Sequence, residues 1–214
     1  ELALYDHIKS FTGKTSVKFK ALKSNLSLIN LNIETVKVTS VYEKNRKLSF
    51  TQKNGLLYIN PRRSISKNEL ITYTIFYDSK GKQSDPTKFG MNVLLGLGFF
   101  DKTNDNPSLA QTHSFPTGAR HWFPSNDHPA DKATSRISAT VRSDWKVLAN
   151  GLLTNKSVNK DSVTYTWDLN LPNSTYLYVM VAGPFEVIND FHGITPISYW
   201  VYPNDEKNAM RSFH

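Results

Sequence analysis

Hydrophobic and polar side chains alternate along most of the chain. Val17, Phe19 and Ala21 share one parity, whereas Lys18 and Lys20 share the other. A period of two places the apolar set on one face of a strand and the lysines on its solvent face. Apolar runs rich in β-branched and aromatic residues, most of them alternating, predict further strands at residues 26–38, 47–52, 56–60, 70–77, 137–141, 145–149, 152–157, 163–169, 176–181 and 197–202.

Turn signals separate these segments. Asn54-Gly55 lies between two of them and predicts a tight hairpin, because both residues tolerate a positive φ. Residues 78–81, with Asp, Ser and Gly, end the aromatic-rich segment 70–77. Short strands at intervals of about 8–12 residues predict an all-β fold of the sandwich or barrel-like type, and we expect an antiparallel β-sandwich.

Helical signals are few. Residues 129–133 predict one or two helical turns at most, with Asp127 or His128 near the cap and Pro129 in the first turn. Residues 79–107 contain Asp, Asn, Gly and Pro throughout and predict a long loop. The sequence shows neither repeats nor a low-complexity linker, so we expect residues 1–214 to form a single domain.

Composition narrows the classes of function. The absence of cysteine excludes disulfides, thiolate nucleophiles and cysteine metal sites. A formal charge of +8 permits binding to nucleic acid or anionic membranes, but the lysines form no run, and we expect a solvated surface and no nucleic-acid partner. No apolar stretch approaches the roughly 20 residues of a membrane span. Residues 1–6 do not resemble a signal peptide, which fits a cytoplasmic protein and a processed secreted protein equally.

Catalytic and metal-binding motifs are missing from the sequence. None of the histidines forms a His-x-x-x-His pair, the spacing that places two imidazoles on one helix face. His113, His121 and His128 lie close together, but we place them in a loop, a strand and a turn and expect surface or structural roles. A Gly-x-Ser-x-Gly elbow is also absent. We therefore predict no catalytic residue, no metal ligand and no cofactor within this chain.

The most informative segment is residues 110–134, AQTHSFPTGARHWFPSNDHPADKAT. Its aromatic residues would bury apolar area, and its three prolines would hold the chain in a fixed path. Arg120 and Asp127 are spaced to form a charge-assisted pair that fixes the path of the chain in this segment. A core-packing corner accounts for most of these residues without a role in function.

The same segment resembles the N-terminal domain of the M1 family zinc aminopeptidases. The family's pattern is matched in order and spacing by Gln111, Ala119-Arg120, Trp122-Phe123-Pro124, Asp127, Pro129 and Lys132-Ala133. Further similarity lies at residues 12–19, 148–151 and 174–185, so the resemblance covers nearly the whole chain. Three departures are Ala110, where the family has Thr, Ser125, where it has Cys, and Thr112-His113-Ser114, where an acidic residue commonly occurs.

The resemblance implies a saddle-shaped β domain that precedes a thermolysin-like catalytic domain. That domain carries Gly-Ala-Met-Glu-Asn and His-Glu-x-x-His, and neither motif occurs here. We therefore expect the catalytic domain and its zinc to be absent from this chain, which ends near the family's domain boundary. In the family, the glutamine matched by Gln111 helps line the pocket for the first side chain of a peptide substrate. A glutamine that satisfies backbone groups at a strand edge is the alternative.

These observations predict the non-catalytic N-terminal domain of a zinc-dependent aminopeptidase, packed on its own catalytic domain and inactive by itself. One alternative is a free-standing carbohydrate- or peptide-binding sandwich that uses Trp122, Trp145, Trp167 and Trp200, although alternation places most of them in core-facing strands. Another is a scaffold whose exposed edge recruits a partner strand.

Overall fold

Strands dominate the computed structural model, which describes residues 1–79, 95–104 and 106–213. The strands are β1 (Leu2–Tyr5), β2 (Ser10–Lys20), β3 (Ile29–Asn32), β4 (Lys37–Glu43), β5 (Arg46–Lys47), β6 (Phe50–Lys53), β7 (Leu56–Ile59), β8 (Leu70–Ser79), β9 (Gly96–Phe100), β10 (Leu109–His113), β11 (Ala133–Arg142), β12 (Lys146–Ala149), β13 (Leu152–Val158), β14 (Ser162–Asn173), β15 (Met180–Gly183), β16 (Glu186–His192) and β17 (Thr195–Val201). The predicted all-β class is confirmed.

In the part of the chain that the structure describes, helical structure is limited to short pieces. The α-helix α1 spans Glu206–Phe213, and single 3-10 turns occur at Asp6–Ile8, Ala119–His121 and Thr175–Leu177. Among the described residues, no helix has the length and apolar character needed to cross a membrane.

The largest sheet orders its strands β13-β14-β11-β1-β2-β8-β4-β5. Strand β1 lies near the centre, parallel to β11 and antiparallel to β2, with Leu2 opposite both Ala139 and Gly13. The other neighbouring pairs are antiparallel. Strands β2 and β8 pair from Phe11 opposite Ser79 to Lys20 opposite Leu70, which gives the sheet its long, regular middle.

A second sheet, ordered β12-β15-β10-β9, packs on the large one. Ala110, Val147, Met180 and Ala182 are fully buried and belong to the same hydrophobic core as the inward residues of the large sheet. The Trp167 indole of β14 donates a hydrogen bond of 3.0 Å to the Val147 carbonyl of β12. Two sheets that enclose one core form a β-sandwich.

A three-stranded sheet, β3-β7-β6, contains the predicted hairpin. Asn54 and Gly55 have φ values of 51° and 73°, as a two-residue hairpin turn of this kind requires. Strand β3 also reaches the segment between β10 and β11, because Asn32 and Ser125 form an isolated bridge.

Two predicted elements differ from the structure. Pro129 and Ala130 lie in a turn rather than a helix, and Ala133 already begins β11. The Pro129 carbonyl accepts a hydrogen bond of 2.6 Å from the Ser174 hydroxyl, a tertiary contact that takes the place of helical pairing. The predicted strand at 176–181 is instead the 3-10 turn Thr175–Leu177 followed by β15.

The predicted loop at 79–107 is also wrong in part. Its residues 80–94 and 105 lie outside the described residues, but Gly96–Phe100 form β9 and pair with β10. His113 ends β10 instead of lying in a loop, and His121 lies in a 3-10 turn instead of a strand.

Candidate functional site

An open groove runs along the outer face of the four-stranded sheet. Residues 110 and 112 of β10 point into the core, so Gln111 points away from it and into the groove. The groove encloses about 560 Å³. Its floor comes from three strands of the sheet, and its lining includes Leu109, Gln111, Leu148, Val181, Phe185, Trp200, Tyr202, Asp205, Asn208, Ser212 and Phe213.

Aromatic side chains form the opposite wall of the groove. Phe185 and Tyr202 are stacked with ring centroids 5.9 Å apart, and Tyr199 stacks on Phe213 of α1 at 4.8 Å. The Lys146 ammonium donates to the Phe185 carbonyl and pairs with the Glu186 carboxylate, which ties β12 to the start of β16. Contacts with the four-stranded sheet, which forms the floor of the groove, therefore hold this wall in place.

The chemistry of the groove is that of a binding surface. Its lining is mainly apolar, and its polar side-chain groups are few: two amides (Gln111 and Asn208), the Asp205 carboxylate, two hydroxyls (Tyr202 and Ser212) and the Trp200 indole N–H. A concave apolar surface with a few polar groups is typical of ligand recognition. The Gln111 amide can both donate and accept hydrogen bonds. Among the described residues, no three His, Cys, Asp or Glu side chains are placed to hold a metal ion.

The strand that carries Gln111 is fixed in place by its buried neighbours. The Thr112 hydroxyl accepts a hydrogen bond of 2.7 Å from the Met180 N–H of β15. One step further, the Ser114 hydroxyl donates to the Tyr178 carbonyl at 2.7 Å and accepts from the Trp122 indole at 3.1 Å. These bonds lock the register of β10 against β15, and the register sets the direction in which Gln111 points.

Directly after β10, the chain turns a corner that is built around an ion pair. The Arg120 Nε–H donates to Asp127 Oδ2 at 2.8 Å. The other carboxylate oxygen, Oδ1, accepts from the Thr175 hydroxyl at 2.7 Å, and the Asp127 N–H donates to Asn32 Oδ1 at 3.0 Å. The Asp127 side chain is 1% exposed and that of Arg120 is 21% exposed. The structure thus contains the pair that the spacing predicted, with both carboxylate oxygens satisfied.

The corner also holds the three-stranded sheet. The Glu34 N–H donates to the Arg120 carbonyl at 2.8 Å, and the Thr35 hydroxyl donates to the His121 carbonyl at 3.1 Å. The Glu34 carboxylate lies 3.8 Å from both Arg120 Nη1 and His121 Nε2. The Arg120–Asp127 pair therefore joins β3, the corner and the 3-10 turn at Thr175 into one cluster, to which the strand of Gln111 leads.

Sequence reasoning missed part of the groove. Asp205, Asn208 and Ser212 reach it from α1 and from the residue that precedes α1, and none of them stood out in the sequence. Their only shared signal is the spacing of 205, 208 and 212, which places three polar side chains on one face once a helix is assumed. Of the three clustered histidines, His128 forms a local contact: its Nδ1 accepts a hydrogen bond of 3.2 Å from the Ala130 N–H in the following turn.

The described chain is thus a β-sandwich domain with an open groove on the outer face of its smaller sheet. Comparison with protein families shows to which family this domain belongs. Residues 1–177 match the Peptidase M1 N-terminal domain, and the chain belongs to the M1 peptidase family.

Curated relatives are aminopeptidases. The chain is 32% identical over 110 residues to "Aminopeptidase M1" of Arabidopsis thaliana, which covers 48% of this chain and 12% of that protein. It is 23% identical over 181 residues to "Probable aminopeptidase 1" of Sulfurisphaera tokodaii, covering 85% of this chain and 21% of that protein. The chain therefore spans only about an eighth to a fifth of the length of these relatives.

Solved structures share the fold. An M1 zinc metallopeptidase from Deinococcus radiodurans superposes with a TM-score of 0.76 at 21% identity, over 92% of this chain and 44% of that chain. A mutant of the M1 zinc metallopeptidase from the same organism, bound to a Tyr-Ser-Ala substrate, superposes with a TM-score of 0.77 at 22% identity, over 98% and 50% of the two chains. At these identities the likeness shows a common fold.

Proposed function

We propose that this chain is the non-catalytic N-terminal domain of a zinc-dependent aminopeptidase, and that it forms part of the wall of the substrate pocket. The observation that carries the proposal is the position of Gln111, exposed in the groove on a strand whose register is fixed. Gln111 occupies the place in the sequence pattern where the family has its pocket-lining glutamine. Its amide would contact the first side chain of a peptide substrate.

In this proposal, zinc is bound by residues outside the chain. The sequence has no His-x-x-x-His pair to supply them. When bound in the catalytic domain, zinc would activate the water that attacks the first peptide bond. The contribution of this chain is to bind and orient: the groove accepts an apolar side chain against Leu148 and Val181, and Gln111 offers hydrogen bonds beside them.

The catalytic domain is the proposed partner of this domain. Large apolar side chains lie exposed just after β10 and just before β15, among them Phe115, Leu177 and Val179. Phe115 also contacts the ring of Tyr176, the neighbour of Leu177 in the chain, with centroids 5.9 Å apart. Exposed apolar groups of this kind are typical of an interface with another folded unit.

A free-standing sugar-binding module is less well supported. Such modules present a row of exposed aromatic rings, but Trp122, Trp145 and Trp167 are buried in the core. Trp200 is partly buried and packs against Trp167 and Phe185. This burial favours the aminopeptidase proposal.

The test compares the chain with its parent protein. We expect the purified chain to cleave no aminoacyl-anilide and to retain less than stoichiometric zinc after dialysis. We expect the parent reading frame to contain Gly-x-Met-Glu-Asn and His-Glu-x-x-His after this segment, and the parent to be active with zinc. Activity of the isolated chain that chelation abolishes would overturn the proposal. A native stop codon directly after His214 would instead support the binding module.

A further inference from the structure

The positive charge of the molecule is concentrated at one end of the large sheet. Strand β2 ends at Lys20, β4 ends at Glu43, and β8 begins at Leu70, and these strands run antiparallel, so the three termini lie together. Backbone hydrogen bonds between Ala21 and residues 68–69 join the segments after β2 and before β8. We call residues 18–28, 42–47 and 62–72 the basic end.

Charges at the basic end are strongly unbalanced. It carries nine cationic side chains, all exposed: Lys18, Lys20, Lys23, Lys44, Arg46, Lys47, Arg62, Arg63 and Lys67. Against them stand two carboxylates, Glu43 and Glu69, so nine less two leaves +7 of the formal +8 of the whole chain. Concentrated positive charge on one surface attracts polyanions.

Most of these cations have no ion-pair partner. Within the described residues, Arg63 is the one cation of the basic end that forms a salt bridge, with Glu69. Several cations elsewhere are paired, as Arg120 is with Asp127, Arg136 with Asp168 and Arg142 with Asp6 and Asp144. The other eight cations therefore remain available to a negatively charged partner.

Exposed leucines lie among these cations. Leu22 is 77% exposed and lies between Lys20 and Lys23, whereas Leu70 is 63% exposed and lies opposite Lys20 in the sheet. Leu28 is also exposed. Leucines surrounded by cations suit a lipid interface, where the aliphatic groups enter the acyl boundary and the cations contact headgroups.

The aromatic residues of the basic end do not suit nucleic acid. Binding of single strands relies on exposed rings on which bases stack. Phe19 packs edge-on against Tyr73, and Tyr42 packs in the same way against Phe76. Leucine rather than aromatic exposure favours a membrane over a nucleic acid.

We propose that the basic end is a peripheral docking site for anionic lipid bilayers. Leu22 and Leu70 enter the interface, and the surrounding lysines and arginines contact anionic headgroups. The site is separate from the groove, because none of its residues lines the groove. It is also independent of the proposed peptidase role.

The test uses sedimentation with phosphatidylcholine vesicles, with and without phosphatidylserine. We expect the chain to bind only the vesicles that contain phosphatidylserine. Lys20→Gln/Lys23→Gln should weaken binding about 25-fold, since each cation near an anionic surface contributes about a fivefold factor. The matched control, Lys37→Gln/Lys160→Gln, removes the same charge from exposed positions outside the basic end and should change binding less than about twofold.

A second variant separates lipid insertion from charge alone. Leu22→Asn should remove the binding that persists at high salt, because burial of a leucine is not screened by ions. Equal loss in both lysine double variants, or no binding to phosphatidylserine vesicles, overturns the proposal. The proposal is also overturned if Leu22→Asn binds phosphatidylserine vesicles as tightly as the wild type and duplex DNA displaces these vesicles completely. If Lys20→Gln/Lys23→Gln melts early, Lys44→Gln/Lys47→Gln replaces it with the same expected loss.

Discussion

At the scale of single residues, the corner depends on the unequal exposure of Arg120 and Asp127. The carboxylate is 1% exposed and the guanidinium 21%, so removal of the arginine leaves a buried negative charge. We predict that Arg120→Ala costs about 3–5 kcal/mol, the usual cost of breaking a buried pair. For a domain of this size the melting temperature should fall by roughly 6–20 °C, measurable by circular dichroism.

Arg136→Ala is the control for this substitution. Arg136 also forms a two-bond pair with an aspartate, Asp168, but its side chain is 72% exposed on the sheet surface. Exposed pairs contribute about 0–1 kcal/mol, so this variant should melt close to the wild type. Equal losses in the two variants would mean that burial does not set the contribution of the Arg120 pair.

Gln111 should behave in the opposite way. Its side chain is exposed, and among the described residues it makes no hydrogen bond that supports the fold. We predict that Gln111→Ala changes the free energy of unfolding of the chain by less than about 0.5 kcal/mol. In the parent enzyme the same substitution should shift the preference for the first residue of the substrate, measured as ratios of kcat/KM across aminoacyl-anilides.

A second glutamine provides the comparison. Gln52 accepts the Val38 N–H at 3.0 Å and donates to the Val36 carbonyl at 2.7 Å, so it satisfies two backbone groups. Gln52→Ala should therefore destabilise the chain by about 1–3 kcal/mol. If Gln111→Ala is the more destabilising of the two, or leaves the preference of the parent unchanged, Gln111 is a structural residue.

At the scale of elements, the alternation of hydrophobic and polar residues predicted the strands that have one solvent-exposed face. Strand β2 is such a case, with Val17 and Phe19 partly buried and Lys18 and Lys20 exposed. Strand β9 is not, because four of its five residues are buried and glycines, not polar residues, alternate with Leu97 and Phe99. For this reason the sequence predicts a loop at residues 96–100, where the structure has a strand.

Short helical elements were the least predictable. A proline in a first turn and a nearby acidic residue favour a helix at 129–133. In the structure, the Pro129 carbonyl accepts from the Ser174 hydroxyl instead, and the Asp131 carboxylate accepts from the Asn126 amide. The true helix α1 buries only Ala209 and has no long apolar stripe. Tertiary contacts outweigh local propensity in pieces this short.

The segment that leads into β8 should respond to acid. The guanidinium of Arg63 and the Ser66 N–H lower the pKa of Glu69 from its ordinary 4.5 to about 2. Because the folded pKa is the lower one, the stabilisation is present above about pH 4.5 and is lost as the pH falls towards 2. We predict that wild type and Glu69→Gln differ in unfolding free energy at neutral pH and converge across this window, as urea titrations would show. A difference that is constant with pH would contradict this.

At the scale of the whole molecule, the groove could not be predicted because its parts are distant in sequence. Its floor comes from β10, β12 and β15, and its opposite wall comes from Phe185, β17 and α1. The resemblance predicts a pocket role for Gln111 from one residue type at one position, and the structure shows only that its side chain lines the groove. The aromatic wall depended on packing between sheets, which no local pattern encodes.

The central position of β1 has a consequence for how the chain folds. Leu2 pairs with Gly13, eleven residues away, but also with Ala139, 137 residues away. Closing the longer loop costs about 2 kcal/mol more entropy than closing the shorter one. During synthesis, β1 can join the hairpin with β2 early, but its other edge stays unpaired until β11 leaves the ribosome. That waiting edge is where a nascent chain would be most open to chaperones or to misassembly.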